Sequence, residues 1–255
     1  MLLVIDIGNT NIVFGIYKGD ELVHNWRISS NNQSSSDEYG LILRQLLNVN
    51  GINFEDINDI IMASVVPKLT HTIPTMCERY IGLKPLIVGA GIKTGINIKY
   101  DNPKEVGADR IVNSVAGFDL FGGPLIIADV GTAISFDVIN EKGDYLGGAI
   151  APGIGIASDA LFMRTSKLPK VELMEPENAI GKTTIQSMQS GIVFGYIGLI
   201  DGIIERLKKE IPGGEAEVIG TGGFSRLISQ KSKYISRTDP LLTLYGLKLI
   251  YEKNK

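Results

Sequence analysis

One pattern occurs in both halves of the chain, and it constrains the fold more than any other feature. "LLVIDIGNTNIVFGIYKGD" occupies residues 2–20, and "LIIADVGTAISFDVINEKGD" occupies residues 125–144. Each copy has an apolar run ending in Asp, a turn with glycine, a second apolar run with Phe, and a closing Gly-Asp. The pattern predicts a strand, a tight turn and a second strand in each copy, with Asp6 equivalent to Asp129 and Gly8 to Gly131.

A second pair of similar segments follows, each an apolar strand that runs into a helix. They are "IIMASVVPKLT" at residues 60–70 and "VIGTGGFSRLI" at residues 218–228. Two copies of this plan predict a duplicated α/β fold with a cleft between the halves. The helical pattern "VGADRIVNSVAGF" is broken by "FGGP", so we predict domains at residues 1–117 and 118–255.

Two further helices are predicted in the second half. Residues 191–204, "GIVFGYIGLIDGII", contain Asp201 and are too short for a membrane span, so we expect a helix packed in the core or at a subunit interface. Glycines at helical spacing leave one of its faces nearly bare: Gly191, Gly195, Gly198 and Gly202. The segment "DPLLTLYGLKLIYEKN", from residue 239, predicts a closing helix.

The charge and the cysteine content limit the possible partners and the compartment. The net charge is −3 and no block is rich in Lys or Arg, which argues against a nucleic-acid partner. A single cysteine, Cys77, excludes an intramolecular disulfide and fits a reducing compartment. The first apolar run is cut by Asp6 before it reaches the length of a signal-peptide core. We therefore expect a cytoplasmic protein without a membrane partner.

Glycine-rich turns that follow strands point to phosphate binding. They present backbone N–H groups to an anion without an intervening side chain. The chain has three such turns, which begin at Gly8, Gly131 and Gly220. Asp6 and Asp129 stand beside the first two, where a carboxylate can hold a cation or orient its water. A single turn of this kind is usually an ordinary hairpin, but three in equivalent positions indicate a nucleotide.

Other nucleotide and catalytic motifs fail on spacing. "GKT" at residues 181–183 ends like a Walker A loop, but Pro176 stands where that loop needs glycine. "GAGIKTG" at residues 89–95 has one residue too many for the Rossmann glycines. His24 and His71 are the only histidines, and neither has the neighbours of a triad or a metal site.

The order of seven motifs resembles the type III pantothenate kinase family. The motifs are "DIGNTN", "NIKYDNPKEVGADRIVN", "DVGTA", "GGAIAPGI", "IGKTT", "MQSGIVFGY" and "GTGGFS", and the resemblance covers essentially the whole chain. It implies the acetate and sugar kinase, Hsp70 and actin superfamily, with duplicated actin-like (ribonuclease H-like) domains and a nucleotide cleft. It also implies a homodimer that transfers the ATP γ-phosphate to the 4′-hydroxyl of pantothenate, with Mg²⁺ and a monovalent cation, K⁺ or NH₄⁺.

The resemblance also implies residue roles. Asp6 would position Mg²⁺ or its waters, and Asp129 would bind the monovalent cation. One residue departs from the family pattern. Members often have a hydroxyl residue at the position of Ile134, and this difference concerns secondary contacts and ATP affinity. The residues that match ATP contacts are Asp6, Ile7, Gly8, Asn9, Thr10, Asn11, Ile12, Val13 and Thr132.

Asp109 matches the general base that takes the proton of the substrate hydroxyl. Its position near a helix start also allows a purely capping role. Arg110 is a natural partner for the pantothenate carboxylate or an incoming phosphate, or else forms a structural salt bridge. In the family the substrate pocket lies at the dimer interface. The residues that match substrate contacts are Tyr100, Gly107, Ala108, Asp109, Arg110 and Thr184.

Two alternatives remain open at this stage. One is a kinase of the same superfamily that phosphorylates another small molecule. The other is a non-catalytic regulator, since proteins that resemble this family have been described as transcriptional accessory factors. The intact Asp109 and the lack of a basic run argue against a regulator.

Overall fold

The protein consists of two compact units. The computed structural model describes all residues, 1–255, which form eleven strands and seven α-helices. Unit 1 contains residues 1–95, 102–116 and 243–255, and unit 2 contains residues 96–101 and 117–242. Both units are discontinuous along the chain, whereas the ranges expected from the sequence, 1–117 and 118–255, are continuous.

Unit 1 is built on a five-stranded sheet with the order β3-β2-β1-β4-β5. The first three strands are antiparallel neighbours, and β4 and β5 continue the sheet in parallel. The central strand β1 is buried except at its first residue and at Asp6, as expected for a strand covered on both faces. The strands are β1 (Leu2–Ile7), β2 (Asn11–Lys18), β3 (Glu21–Ser29), β4 (Asp59–Ser64) and β5 (Leu86–Ile87).

Four helices contribute to unit 1. They are α1 (Ser36–Val49), α2 (Leu69–Tyr80), the first part of α3 (Ala108–Phe121) and nearly all of α7 (Leu242–Asn254). Ser35 and Glu38 form a reciprocal capping box at the start of α1. On α7, the buried Lys248 ammonium pairs with the carboxylates of Asp20 at 2.7 Å and Glu252 at 2.9 Å. This ion pair joins the last helix to the turn after β2.

Unit 2 repeats the plan of unit 1 and adds a strand. Its sheet has the order β11-β10-β7-β8-β9-β6, so β7 to β11 take the places of β1 to β5. The extra strand β6 pairs in parallel with β9 at the edge. The strands are β6 (Asn97–Ile98), β7 (Leu125–Val130), β8 (Ala133–Ile139), β9 (Asp144–Pro152), β10 (Glu217–Thr221) and β11 (Arg237–Thr238).

The helices of unit 2 are α4 (Ile154–Met163), α5 (Thr184–Glu210) and α6 (Ser225–Ser229). The predicted helix over residues 191–204 is confirmed as the centre of α5. By length and composition alone α5 could cross a membrane, but half of its most apolar window is buried, and core helices of soluble proteins pass the same test. Its glycine face is exposed at Gly191, Gly195 and Gly198.

The predicted duplication is confirmed by the strand pairing. Asp6 is the penultimate residue of β1 and Asp129 the penultimate residue of β7, and each strand pairs with an antiparallel partner after a short turn. The two strand-to-helix segments also correspond, because β4 precedes α2 and β10 precedes α6. In each unit the later strand pairs in parallel with the strand that carries the aspartate.

Candidate active site

The turn between β1 and β2 is held by hydrogen bonds to its carbonyl groups. The Gly8 N–H donates to the Asn11 carbonyl at 2.9 Å. Ser30 donates its hydroxyl to the Gly8 carbonyl at 2.6 Å and its N–H to the Thr10 carbonyl at 2.9 Å. Asn9 and Thr10 are exposed. The turn therefore has a fixed backbone and an outer side open to solvent.

The other predicted ATP-binding residues of unit 1 flank this turn. Asp6 is half-buried, and its backbone pairs with Val13 on one side and Ala63 on the other. Ile7 and Ile12 face each other at the end of the ladder and are fully buried. Their side chains belong to the core, so they shape the turn through the backbone.

Asp109 lies in the first turn of α3, close to the same end of β1. Its Oδ1 accepts a hydrogen bond from the Arg110 N–H at 2.8 Å. A Cβ on Gly107 would lie 2.6 Å from this oxygen and 3.8 Å from the Val65 side chain. The Val65 N–H in turn donates to the Ile7 carbonyl at 3.1 Å. Unit 1 thus brings the predicted base near the strand that leads into the glycine turn.

Burial raises the pKa of the Asp109 carboxyl above its ordinary value, and the N–H and charge of Arg110 oppose this only in part. A carboxylate with a raised pKa is a stronger base than an ordinary aspartate. The bond to the Arg110 N–H also satisfies one of the free N–H groups at the helix start, as a capping role requires. Arg110 itself is buried.

The equivalent turn in unit 2 is enclosed by backbone. The Gly131 N–H donates to the Ala133 carbonyl at 3.0 Å. Gly153, which precedes α4, approaches so closely that a Cβ there would lie 2.6 Å from the Gly131 carbonyl and collide with the Thr132 carbonyl. The Thr132 side chain is exposed. Ile134, at the position where the resemblance departs, is fully buried in the core of unit 2.

The third glycine turn packs against Asp129. Gly222 has a φ of +86°, and a Cβ there would collide with Asp129 Oδ1 and with the Val130 carbonyl. The Phe224 N–H donates to the Val130 carbonyl at 3.1 Å. Unit 2 therefore brings together two of the three predicted turns, and the absence of a side chain at Gly222 makes room for Oδ1 of the half-buried Asp129 and for the Val130 carbonyl.

Two predicted substrate residues lie elsewhere in unit 2. Tyr100 follows β6 at the sheet edge, where the preceding N–H, of Lys99, donates to the Tyr145 carbonyl at 2.8 Å. Thr184 is the exposed first residue of α5. It lines a groove of about 1010 Å³ that runs along the helix past Gly191 and Gly195. Most of this groove is apolar.

The donor groups fit ions that bind oxygen. No cluster of three or more His, Cys, Asp or Glu side chains that could hold a metal occurs within residues 1–255. Mg²⁺ is commonly held by one or two carboxylates together with substrate phosphates and water, so Asp6 beside a phosphate turn fits it. The carboxylate of Asp129 and the Val130 carbonyl near it supply oxygen ligands of the kind that a monovalent cation takes.

The structure shows the surroundings of three residues to which the sequence assigned no catalytic role. Thr183 of the "GKT" segment caps α5, accepting a hydrogen bond from the Gln186 N–H at 3.2 Å. His24 stacks on Trp26 along β3, at 5.7 Å between ring centroids. Cys77 is buried, and burial raises the pKa of its thiol to about 12.

Sequence patterns did not identify two residues that support the turns. Ser30 belongs to a polar stretch and has no motif of its own, and its role becomes visible only when β3 returns beside β2. Gly153 lies in the "APGI" segment quoted for the family resemblance. A proline and a glycine before a helix indicate a backbone constraint, but the turn that they contact is remote in sequence.

Solved structures with the same fold are kinases and related proteins with actin-like domains. A Baf-family protein of Campylobacter jejuni is 20% identical, with a TM-score of 0.61 over 99% of this chain and 98% of the other. The ROK hexokinase of Thermus thermophilus is 14% identical, with a TM-score of 0.54 over 100% and 99%. The fold is the predicted duplicated actin-like, ribonuclease H-like α/β fold.

Sequence comparison is more specific. The family model for type III pantothenate kinase matches residues 2–206. A type III pantothenate kinase of Moorella thermoacetica is 55% identical over 254 residues, which cover 100% of both chains. The match spans the glycine turns of both units and the segment that carries Asp109. The chain therefore belongs to the type III pantothenate kinase family.

Proposed function

We propose that the protein transfers the γ-phosphate of ATP to the 4′-hydroxyl of pantothenate, the first step of coenzyme A biosynthesis. The observation that carries this conclusion is the full-length identity of 55% to a type III pantothenate kinase. The substrate oxygen forms a bond to the γ-phosphorus, and the bond from that phosphorus to the ADP oxygen breaks. The hydroxyl proton needs an acceptor.

Asp109 is the proposed acceptor of that proton. Its raised pKa, caused first by burial, supports this role, because a base is most effective when its pKa lies closer to the working pH. Gly107 supports it as well, since the space left by the missing side chain is the space that Asp109 Oδ1 occupies. In phosphoryl transfer the remaining catalytic contribution comes from positioning and charge neutralisation.

The substrate contacts are proposed at the residues that match the family. The Arg110 guanidinium suits the pantothenate carboxylate or the transferred phosphoryl group, because both offer paired oxygens to its planar donors. Backbone at the start of α3 and two side chains of unit 2 complete the set, which comprises Tyr100, Gly107, Ala108, Asp109, Arg110 and Thr184.

The Gly8–Asn11 turn and Thr132 are proposed ATP contacts. The exposed Asn9 and Thr10 on a backbone fixed by Ser30 support phosphate binding there. Asp6 would hold Mg²⁺, directly or through water, and the ion would neutralise phosphate charge. Asp129 would hold K⁺ or NH₄⁺, which is supported by its half-buried carboxylate and by the Val130 carbonyl, since both lie close to Gly222.

A homodimer in the cytoplasm is part of the same proposal. The exposed glycine face of α5 supports a second copy packing there, since a Cβ on Gly191, Gly195 or Gly198 would meet no atom within 4 Å. The exposed apolar side chain of Leu161 lines the same groove as Gly191 and Gly195. No nucleic-acid or membrane partner is proposed.

The deciding experiment follows ADP and phosphopantothenate formation by the purified protein with ATP, Mg²⁺ and K⁺ or NH₄⁺. Pantothenate is compared with a panel of other small alcohols and acids. We expect turnover that depends on pantothenate. Preference for another acceptor would identify a different kinase of the superfamily, and ATP binding without any turnover would favour a non-catalytic regulator.

A further inference from the structure

Tyr100 is attached to the rest of unit 2 through the edge of its sheet. The strand before it, β6, pairs in parallel with the start of β9, placing Ile98 opposite Tyr145. The Lys99 N–H adds a hydrogen bond to the Tyr145 carbonyl at 2.8 Å. The backbone leading to Tyr100 is therefore fixed to β9 at Tyr145.

The Tyr100 ring also rests on β9. Its centroid lies 6.4 Å from the centroid of the Tyr145 ring, with the planes tilted by 51°. This is a favourable geometry for an aromatic pair. The ring also lies near Gly147 of β9. A Cβ at Gly147 would lie 3.4 Å from the Tyr100 ring, and the φ of Gly147 is +117°. The ring thus lies within van der Waals range of this position, and the positive φ favours glycine there.

The buried carboxylate of Asp137 holds the Tyr145 side chain in place. Tyr145 and Asp137 are both fully buried, and the tyrosine hydroxyl donates to Asp137 Oδ1 at 2.9 Å. Asp137 Oδ2 accepts a further bond from the Ser135 hydroxyl at 3.2 Å. A buried carboxylate is tolerated only when it is hydrogen-bonded, so its place is strongly determined. The bond fixes the far end of the Tyr145 side chain.

We propose that Tyr145, anchored by Asp137, is a positioning residue that holds the Tyr100 ring ready for pantothenate. The inference rests on the proposed function, in which Tyr100 contacts this substrate. A ring that is ordered before the ligand arrives loses less freedom on binding. The effect of Tyr145 therefore falls on pantothenate binding, while the turns that bind ATP are unaffected.

The test compares Tyr145→Leu, Tyr145→Phe and Asp137→Asn with the unmodified enzyme in steady-state kinetics. Tyr145→Leu removes the ring pair, and we expect KM for pantothenate to rise by up to about tenfold, with KM for ATP changed by less than about twofold. Tyr145→Phe keeps the ring and loses only the hydroxyl bond, so it restores most of the affinity that leucine loses.

A double-mutant cycle with Tyr100→Leu identifies the route of the effect. If Tyr145 acts through Tyr100, then Tyr145→Leu has no further effect on KM for pantothenate once Tyr100 is leucine. Tyr234→Leu, at a half-buried tyrosine that packs on the core of unit 2, is the matched control. It should lower thermal stability without separating the two KM values.

Additive effects in the cycle, or equal rises of both KM values, would overturn the inference. If Tyr145→Leu does not fold, Tyr145→Phe and Asp137→Asn decide the question, since both keep the buried volume and weaken the bond that anchors the ring. Each should raise KM for pantothenate more than KM for ATP, and a variant that folds and leaves KM for pantothenate unchanged would overturn the inference. Lack of pantothenate-dependent turnover by the unmodified enzyme would overturn the proposed function and this inference with it. If the enzyme is active and the Tyr145 variants leave KM for pantothenate unchanged, the inference alone is overturned.

Discussion

The two strand–turn–strand openings share a plan but differ in what surrounds the turn. In unit 1 the turn runs from Gly8 to Asn11 and is held by the Ser30 side chain. In unit 2 it is one residue shorter, from Gly131 to Ala133, and the backbone of Gly153 packs against it. Gly222 packs against Asp129 and Val130, which precede this turn.

This difference agrees with the two functions proposed for the turns of one duplicated scaffold. The first turn has exposed side chains above a fixed backbone, which suits a large anion such as a nucleotide phosphate. The second has its aspartate beside close backbone oxygens, which suits a small cation. The two carboxylates occupy equivalent positions on β1 and β7, so the proposed difference in role would come from the neighbouring loops.

The largest effect is expected from Asp109→Asn, which leaves both turns intact and removes the proposed base. We expect kcat to fall by about 10²- to 10⁴-fold, with KM for ATP nearly unchanged. Asp119→Asn, at an exposed position of the same helix, is the matched control. If Asp109→Asn turns over as fast as the unmodified enzyme, Asp109 is not the base and has only a capping role.

The pH dependence of kcat and of the melting temperature, for the unmodified enzyme and for Asp109→Asn, provides a second measurement. Because the pKa of Asp109 is raised by burial, kcat should begin to fall at a higher pH than an ordinary aspartate would cause. A raised carboxyl pKa also means that ionisation destabilises the folded protein as pH rises through that pKa. Asp109→Asn should therefore melt at a higher temperature near pH 7, and this gain should disappear in acid.

Asp6→Asn and Asp129→Asn compare the two carboxylates directly. We expect Asp6→Asn to lower activity by about 10- to 100-fold and to raise the Mg²⁺ concentration required. Asp129→Asn should instead raise the K⁺ or NH₄⁺ concentration required. Titrations of both ions for both variants measure this, and identical ion responses would show that the two turns do not differ in function.

Gly153→Ala tests the enclosure of the second turn. The added Cβ meets the carbonyls of Gly131 and Thr132, so we expect a loss of about 2 kcal/mol and a melting temperature lower by roughly 4–8 °C. Gly131→Ala is the control, because its Cβ would make only ordinary contacts, the nearest at 3.5 Å. Equal melting temperatures for the two variants would contradict the packing described.

The smallest effect is expected from Ser30→Ala, which tests how the first turn is supported. It removes the hydroxyl bond to the Gly8 carbonyl and keeps the backbone bond to Thr10. A loss of about 1 kcal/mol corresponds to a rise in KM for ATP of roughly fivefold. Ser29→Ala, at the exposed neighbour, should leave KM unchanged, and an equal rise for both variants would exclude a specific role for Ser30.

The local features of the fold could be predicted from the sequence. The repeat around Asp6 and Asp129 is confirmed by the matching ladders, and the pattern ended by "FGGP" is confirmed as α3, which ends at Phe121. These features depend on neighbouring residues, whose periodicity and turn glycines are visible directly.

Contacts between distant segments could not be predicted in the same way. The two-residue strand β6 has no periodicity and forms only because β9 offers an open edge. The pairing of Ser30 with Gly8 and the approach of Gly153 to Thr132 likewise depend on the finished topology. The roles proposed for Asp109 and Tyr100 come from family resemblance, because neither residue carries a local signal that separates function from structure.

The return of α7 to unit 1 has a consequence for biosynthesis. The helix contributes the buried Lys248 that pairs with Asp20, and Leu244 lies against Gly15 of β2. These contacts cannot form until α7 has left the ribosome, whereas every segment of unit 2 has been synthesised by residue 242. Unit 1 contains the first residues to emerge and is thus completed last. A chain that terminates before α7 lacks part of unit 1.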